Sequence, residues 1–407
     1  MKFTRTINIS RKQLSAHKLR TALALIGIII GVSAIIVMVA IGTGAQREVL
    51  STIEDMGTNL VVVNAAEVRR SPGRQDIRGT VTTLTVRDAE IVERDVPDVT
   101  AVAPVQSSRM QVRYGNLTSN VAVVGTTAAF QEVRNFHARI GSFFDELDDI
   151  TLQRVAVIGA GVHRNLFGGQ NAIGETFRIG NVPFEIIGIM EPKGVDLDGV
   201  DQDDQIFIPI QTALRRVFNL SYIHTIYMQT QHEEVMDRAA GQVRYILRDR
   251  HRLIREEQPD DFTMYTQLEL IDAHRETTDA FTMLIGSIAG VSLLVGGIGI
   301  LAIMLISVRE RVNEIGLRMA VGARRKDVMT QFLIESSMLG VGGGLAGIII
   351  GIAGSVIVGT ATEWTTTVSL YSVFLAFFFS LVIGLFFGVY PAKKASLLDP
   401  IEALRSE

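Results

Sequence analysis

His232-Glu233-Glu234-Val235-Met236 begins like a zinc site, a histidine followed at once by a potential general base. Two imidazoles one helical turn apart could hold Zn²⁺ on a single helix face. Met236 stands where the second imidazole must lie, so this segment cannot supply both ligands. Asp196-Leu-Asp-Gly-Val-Asp-Gln-Asp-Asp204 is acidic enough to invite Ca²⁺, but an EF-hand loop counted from Asp196 needs Gly and Glu where Asp201 and Phe207 stand. A solvated acidic loop is expected instead. Gly159-Ala160-Gly161 follows an apparent strand, yet Arg164 occupies the place of the third glycine of a dinucleotide fingerprint. That leaves a tight turn. No lysine follows a glycine, which excludes a phosphate-cradling Walker A loop within these residues. The absence of cysteine removes thiol catalysis, disulfides and thiolate-bound zinc. No catalytic, cofactor-binding or metal site, and hence no enzyme activity, is expected within the chain.

The residues that remain informative are apolar. Of 407 residues 47% are hydrophobic and 20% charged, with mean hydropathy +0.29 and pI near 6.0. Bulk charge gives no reason to expect nucleic acid as a partner. The hydrophobicity is concentrated in 21–45, 280–308, 336–362 and 364–392, none of which contains Asp, Glu, Lys, Arg or His. A bilayer core needs about 20 apolar residues of helix, so each run can span. The first is too long for a cleavable signal sequence and is expected to stay as an anchor. The fold class that follows is a membrane α-helical protein with four transmembrane helices and a large α+β extracytoplasmic domain between the first and second.

Charge sets the orientation. Residues 1–20, 309–335 and 393–407 together carry +8, whereas 46–279 carry −11 and Glu363 adds −1, for a total of −4. The positive-inside rule places both termini and the 309–335 loop on the cytoplasmic side of a cell membrane. Phe3, Ile7 and Leu14 fall near one face of a basic segment, predicting an amphipathic helix over 1–20 that lies on membrane lipid.

Within 46–279, β-branched runs predict strands at 58–63, 99–105, 109–114, 121–124, 155–158, 176–179, 184–189, 206–208, 224–229 and 262–266. Thr85 with Asp88 reads as a helix N-cap before 89–95, Gly180-Asn181 as a hairpin turn, and 233–250 as an amphipathic helix. The polar stretch 69–78 reads as a loop. In the apolar runs, glycines recur four apart: Gly27/Gly31, Gly286/Gly290, Gly340/Gly344, Gly343/Gly347/Gly351 and Gly384/Gly388. Such spacing lets helices approach closely. With no ionisable residue at membrane depth, neither a proton relay nor a polar pore is indicated.

The loop 309–335 predicts a short helix, a break at Gly322, and a second helix from Lys326 into the third span. Ile315, Leu317, Met319, Ala320 and Val321 add an apolar face to a basic segment, which suits docking onto a partner. Here the chain resembles the MacB-type (FtsX-like) permeases of ABC transporters. The resemblance rests on Glu310-Arg311, Glu314-Ile315-Gly316, Ala320-Val321-Gly322-Ala323 and Arg325-Lys326-Asp327-Val328. It extends to Tyr390-Pro391-Ala392-Lys393-Lys394-Ala395 and Asp399-Pro400-Ile401-Glu402-Ala403-Leu404-Arg405, and in the outer domain to 154–159, 173–177 and 184–188.

The resemblance implies an outer domain of porter-plus-sabre type, its insertion near 116–204, flanked by stalk helices around 43–56 and 268–279. It implies a separate ATPase subunit in two copies, bearing ATP and Mg, a second permease copy as a homodimer or related permease, and in some systems a periplasmic adaptor. The ATPase-coupling residues it implies are Glu314, Ile315, Gly316, Leu317, Arg318, Ala320, Gly322, Ala323, Arg324 and Asp327. Pro391, Pro400, Glu402, Ala403, Leu404 and Arg405 form its C-terminal signature. The expected function is mechanotransmission that exports drugs, peptides or lipid-like substrates. The alternative is a lipoprotein-releasing or cell-wall/division regulatory complex of the same architecture.

Overall fold

The computed structural model describes residues 18–66, 82–195, 200–253, 255, 258–362 and 365–405. The loop expected at 69–78 and residues 1–17 of the expected interfacial helix lie outside them. The chain divides into two compact units, Met1–Glu48 with Arg275–Glu407, and Val49–His274. Helix α1 (Lys18–Asp55) carries the first apolar run and, with no proline or terminating glycine, continues unbroken through the segment expected as a stalk.

The Val49–His274 unit is α+β. Its strands are β1 (Leu60–Ala65), β2 (Val99–Tyr114), β3 (Leu117–Thr126), β4 (Ala138–Gly141), β5 (Val155–Ile158), β6 (Thr176–Ile179), β7 (Val182–Met190), β8 (Gln205–Pro209), β9 (Thr225–Thr230) and β10 (Phe262–Thr266). Between them run α2 (Val86–Asp95), α3 (Ala160–Phe167) and α4 (Met236–Arg250), with shorter helical turns elsewhere. The order β10-β1-β9-β2 forms one sheet, on which α2 and α4 bury Val92, Val243 and Leu247 against Val61, Val63, Ile226 and Met228. The strict alternation of burial along β9 is what a sheet covered on one face requires.

Two expected strands at 99–105 and 109–114 are the single strand β2. Ser107, Ser108 and Arg109 look like a break, but they are exposed where β2 leaves β9 and continues along β3. From there the pairings β2-β3-β8-β5-β7-β6 return to β2 and close a ring of six strands. Val112, Val123, Ile158, Phe177, Phe184 and Ile206 fill its core. This ring draws on residues from Gln106 to Pro209. Gly180 adopts φ +55° in the hairpin between β6 and β7, a left-handed conformation that glycine tolerates.

Two expectations in this unit are corrected. Gly159-Ala160-Gly161 is not a self-contained turn but the start of α3, where Gly161 and Val162 N–H groups donate to the Asp203 carbonyl at 2.9 and 3.3 Å. A side chain at Gly159 would come within 2.3 Å of that same carbonyl oxygen. Asp203, expected in a solvated loop, is buried, and its carboxylate accepts the Lys193 and Gly194 N–H groups at 2.7 and 3.3 Å. Asp196–Gly199 lie outside the described residues.

The other unit contains α5 (Gln267–Glu310), α6 (Val312–Ala320), α7 (Arg325–Ala361), α8 (Leu370–Ser396) and α9 (Pro400–Arg405). With α1, the helices α5, α7 and α8 are long and apolar enough to cross a membrane. The fourth helix begins at Leu370 rather than at 364. The β-branched Thr365-Thr366-Thr367 run stays outside the helix and bonds along α1, Thr367 N–H donating to the Ala40 carbonyl at 3.1 Å. Helix α7 is the hub. Gly343, Gly347 and Gly351 bring its backbone against Ile28, Val32 and Ile36 of α1, while Gly340 and Gly344 face Ser380 and Gly384 of α8. Each would place an added Cβ within 3 Å of a neighbour. Gly290 has no such neighbour within 4 Å.

Candidate functional site

Helix α6 has one inward face and one free face. Ile315 is 1% exposed and packs with Val328 and Phe332 of α7, whereas Leu317, Ala320 and Val321 are exposed, Val321 at 82%. Its end is set by Gly322 at φ +105°, where the Gly322 and Ala323 N–H groups return to the Met319 and Arg318 carbonyls at 3.0 Å each. Left-handed glycine just past a helix satisfies carbonyls that would otherwise be orphaned. The next helix starts immediately, and Asp327 accepts the Arg324 N–H at 3.1 Å as a cap for α7. Arg324, Arg325 and Lys326 are exposed beside Val321. An apolar and basic surface thus stands on a tight helix-turn-helix.

What fixes α6 to the helices beside it is ionic. Arg311, 10% exposed, donates to Glu314 at 3.0 Å and to Glu335 at 3.2 Å, Glu335 being 5% exposed, and its guanidinium lies 5.3 Å above the Phe332 ring. Arg318 donates to Glu314 and, at 2.9 Å, to Gln331. Removing one member of such a pair would leave a buried charge uncompensated. Arg311, Gln331 and Glu335 were not among the expected coupling residues. Spacing could have found them, because Arg311 and Arg318 are two helical turns apart while Gln331 and Glu335 are one turn apart on the facing helix.

The C-terminal signature joins the same site. Helix α9 is started by Asp399, whose carboxylate accepts the Ile401 N–H at 2.8 Å. Its Ala403 is buried against Gly316: a Cβ added at Gly316 would lie 2.7 Å from that of Ala403. Two motifs separated by more than 80 residues therefore meet at one close contact. Glu402 and Leu404 point outward and are exposed. Pro391 stands apart, buried within α8, and Arg405 closes α9.

The profile of the MacB-like periplasmic core domain matches residues 21–246, and that of the FtsX-like permease C-terminal domain residues 286–400. A macrolide export ATP-binding/permease protein MacB of Bdellovibrio bacteriovorus is 39% identical over 394 residues, covering 97% of this chain and 60% of its own length. The chain belongs to the MacB-like permease family. A pyoverdine export ATP-binding/permease protein PvdT of Pseudomonas syringae pv. tomato is 37% identical to this MacB-like permease over 96% of the chain and 58% of its own length. The solved periplasmic region of MacB from Actinobacillus actinomycetemcomitans superposes with a TM-score of 0.46 at 20% identity, over 57% of this chain and 98% of that one. The MacB-like permease spans about three fifths of the length of the curated relatives it matches. Among the described residues it has four membrane helices, and its Val49–His274 unit is the α+β domain outside the membrane.

Proposed function

We propose that this chain is the motion-transmitting permease component of an ABC exporter. An ATPase acting in trans, carrying ATP and Mg, docks on the exposed Leu317-Val321-Lys326 surface. Its closure moves α6 and, through the Arg311–Glu335 pair, the membrane helices. The extracytoplasmic domain then acts on cargo already outside the membrane, a reading supported by spans that hold no ionisable residue and offer no polar path. The +8 charge of the segments flanking the spans favours a cytoplasmic location for both termini and the docking surface. Two permease copies with two ATPases form the working unit. The curated relatives named for macrolide and pyoverdine export favour amphiphilic, drug-like or siderophore-like cargo, passed on in some systems through a periplasmic adaptor. The observation that carries the reading is an α6 anchored on its inner face whose outer residues Leu317, Ala320 and Val321 no described residue covers.

The test substitutes the free face alone. Leu317→Asp with Val321→Asp leaves the buried contacts intact, so the permease remains folded and membrane-inserted. Stimulation of the reconstituted ATPase by the permease falls by roughly tenfold or more, the loss typical of central apolar interface residues. Undiminished stimulation by this variant refutes the docking assignment. Ile315→Asp is a poorer probe, since Ile315 is buried and its loss disrupts the site itself.

A further inference from the structure

His251, just past α4, joins three elements that lie far apart in sequence. Its side chain is 5% exposed and stands edge-on to Phe262, the ring centroids 6.1 Å apart. Nδ1 lies 2.8 Å from the carboxylate of Asp261, the residue before β10. Nε2 faces the carboxylate of Asp88 in the first turn of α2 at 3.7 Å, close enough for charge attraction but long for a hydrogen bond. Among the described residues the other charged group at this junction is Arg250, whose Nε donates to Asp88 at 2.6 Å. Thr85 donates its N–H and hydroxyl to the second Asp88 oxygen at 2.7 and 2.6 Å. The neighbouring Asp260 is engaged by Arg248 and Arg244.

A neutral imidazole carries one N–H and one lone pair. Aimed at Asp261, it turns a bare lone pair toward the Asp88 carboxylate, and among the described residues Nε2 has no hydrogen-bond partner where it stands. Aimed at Asp88, it leaves Asp261 facing a lone pair instead. Only the imidazolium offers a donor to each carboxylate.

We propose that His251 is a pH-operated clasp, which as imidazolium ties the start of α2 and the entrance of β10 to the end of α4, and as neutral imidazole releases one of them. Asp88 beside it, and after it Asp261, outweigh the opposing effect of burial and raise the imidazole above its ordinary 6.5. A raised folded value means that the stabilisation is complete below the unfolded value and is lost as pH rises through the folded one. The clasp is closed in acid and opens toward alkali. β10 pairs with β1 as the edge of its sheet and runs directly into α5, so the clasp governs the strand from which that helix departs. The domain lies outside the membrane, where acidity follows the surroundings.

The full-length permease in lipid nanodiscs, followed by hydrogen exchange at pH 6 and pH 8.5 with intrinsic rates corrected, tests this. Peptides covering 85–96 and 262–268 open roughly fivefold more readily at the higher pH, the difference between a charge-assisted and a neutral hydrogen bond. His251→Gln, which keeps a donor but cannot titrate in this range, abolishes that step. Local protection is the required read-out, because burial lowers the pKa of His224 and so works on total stability in the opposite sense. Asp261→Asn is the second variant, and it shrinks the step without removing the imidazole. A pH step that persists in His251→Gln, or that is missing from the unaltered permease, overturns the clasp.

Discussion

The two units solve the packing problem with opposite materials. The extracytoplasmic unit is filled by large side chains: Phe207 is fully buried, with Phe130, Phe136 and Phe143 at centroid distances of 5.3, 5.6 and 6.3 Å. The membrane unit is assembled around α7 by removing side chains, so that Gly340, Gly343, Gly344, Gly347 and Gly351 admit the neighbouring helices. The reason is the solvent. Water drives apolar side chains together, with about 25 cal/mol gained per Å² buried. Lipid tails are as apolar as leucine, so helices in a bilayer gain from closeness rather than from apolar bulk. A further contrast lies in charge: the outer unit tolerates many ion pairs, whereas in the membrane unit they gather at the α6–α7 junction beside the ends of the spans.

The sharpest way to break this comparison is to change volume in opposite directions. Phe207→Ala empties the aromatic cluster and costs the outer unit about 3–5 kcal/mol, the usual range for a fully buried phenylalanine. Denaturant unfolding followed by hydrogen exchange in β8 measures it, and a cost below about 1 kcal/mol would mean that the cluster collapses to fill the space. The same loss of volume cannot be made at Gly347, where the harm comes from addition.

Gly347→Leu is the complementary case. A Cβ there would lie 2.7 Å from that of Val32, so α1 and α7 must separate. Overpacking of this kind costs about 1–3 kcal/mol, read as a lower unfolding midpoint in detergent or nanodiscs. Gly290→Leu sharpens the contrast, since a Cβ added there meets no described residue of a neighbouring helix within 4 Å and the same substitution leaves the stability of the isolated chain unchanged. Equal effects at the two sites would show that glycine in these helices marks composition and not contact.

How much of this was legible in the sequence follows from how far apart the interacting residues lie. The spans, the Gly180-Asn181 hairpin, the Gly322 break and the Thr85–Asp88 cap are local patterns, and each is read within a few residues. Helix α3 was missed because its start is stabilised by the Asp203 carbonyl, some forty residues on. The meeting of Gly316 with Ala403 was invisible for the same reason, whereas helical spacing alone marks Arg311 and Glu335 as candidates for a pair without placing them together. The coupling motif was recognised as a string, but its division into a buried face at Ile315 and a free face at Leu317 and Val321 required the fold.

The smallest effect tests a place where local reading and buried charge coincide. Asp88 is buried, and burial alone would raise its carboxyl, but the facing His251 imidazole together with hydrogen bonds from Thr85 and Arg250 holds it well below its ordinary 3.8. A depressed folded value contributes stability above the unfolded value, and that stability is lost as pH falls through the folded one. Thr85→Ala removes the hydroxyl donor and keeps the backbone N–H, so it weakens the hold on Asp88 without abolishing it. The expected cost is about 1 kcal/mol, the size of a typical cap, at pH 7. It should shrink toward zero in strong acid, where Asp88 is protonated in both states of the chain. A cost that stays constant across that range would assign the role of Thr85 to backbone geometry at the helix start, leaving Arg250 and His251 as the groups that keep Asp88 ionised.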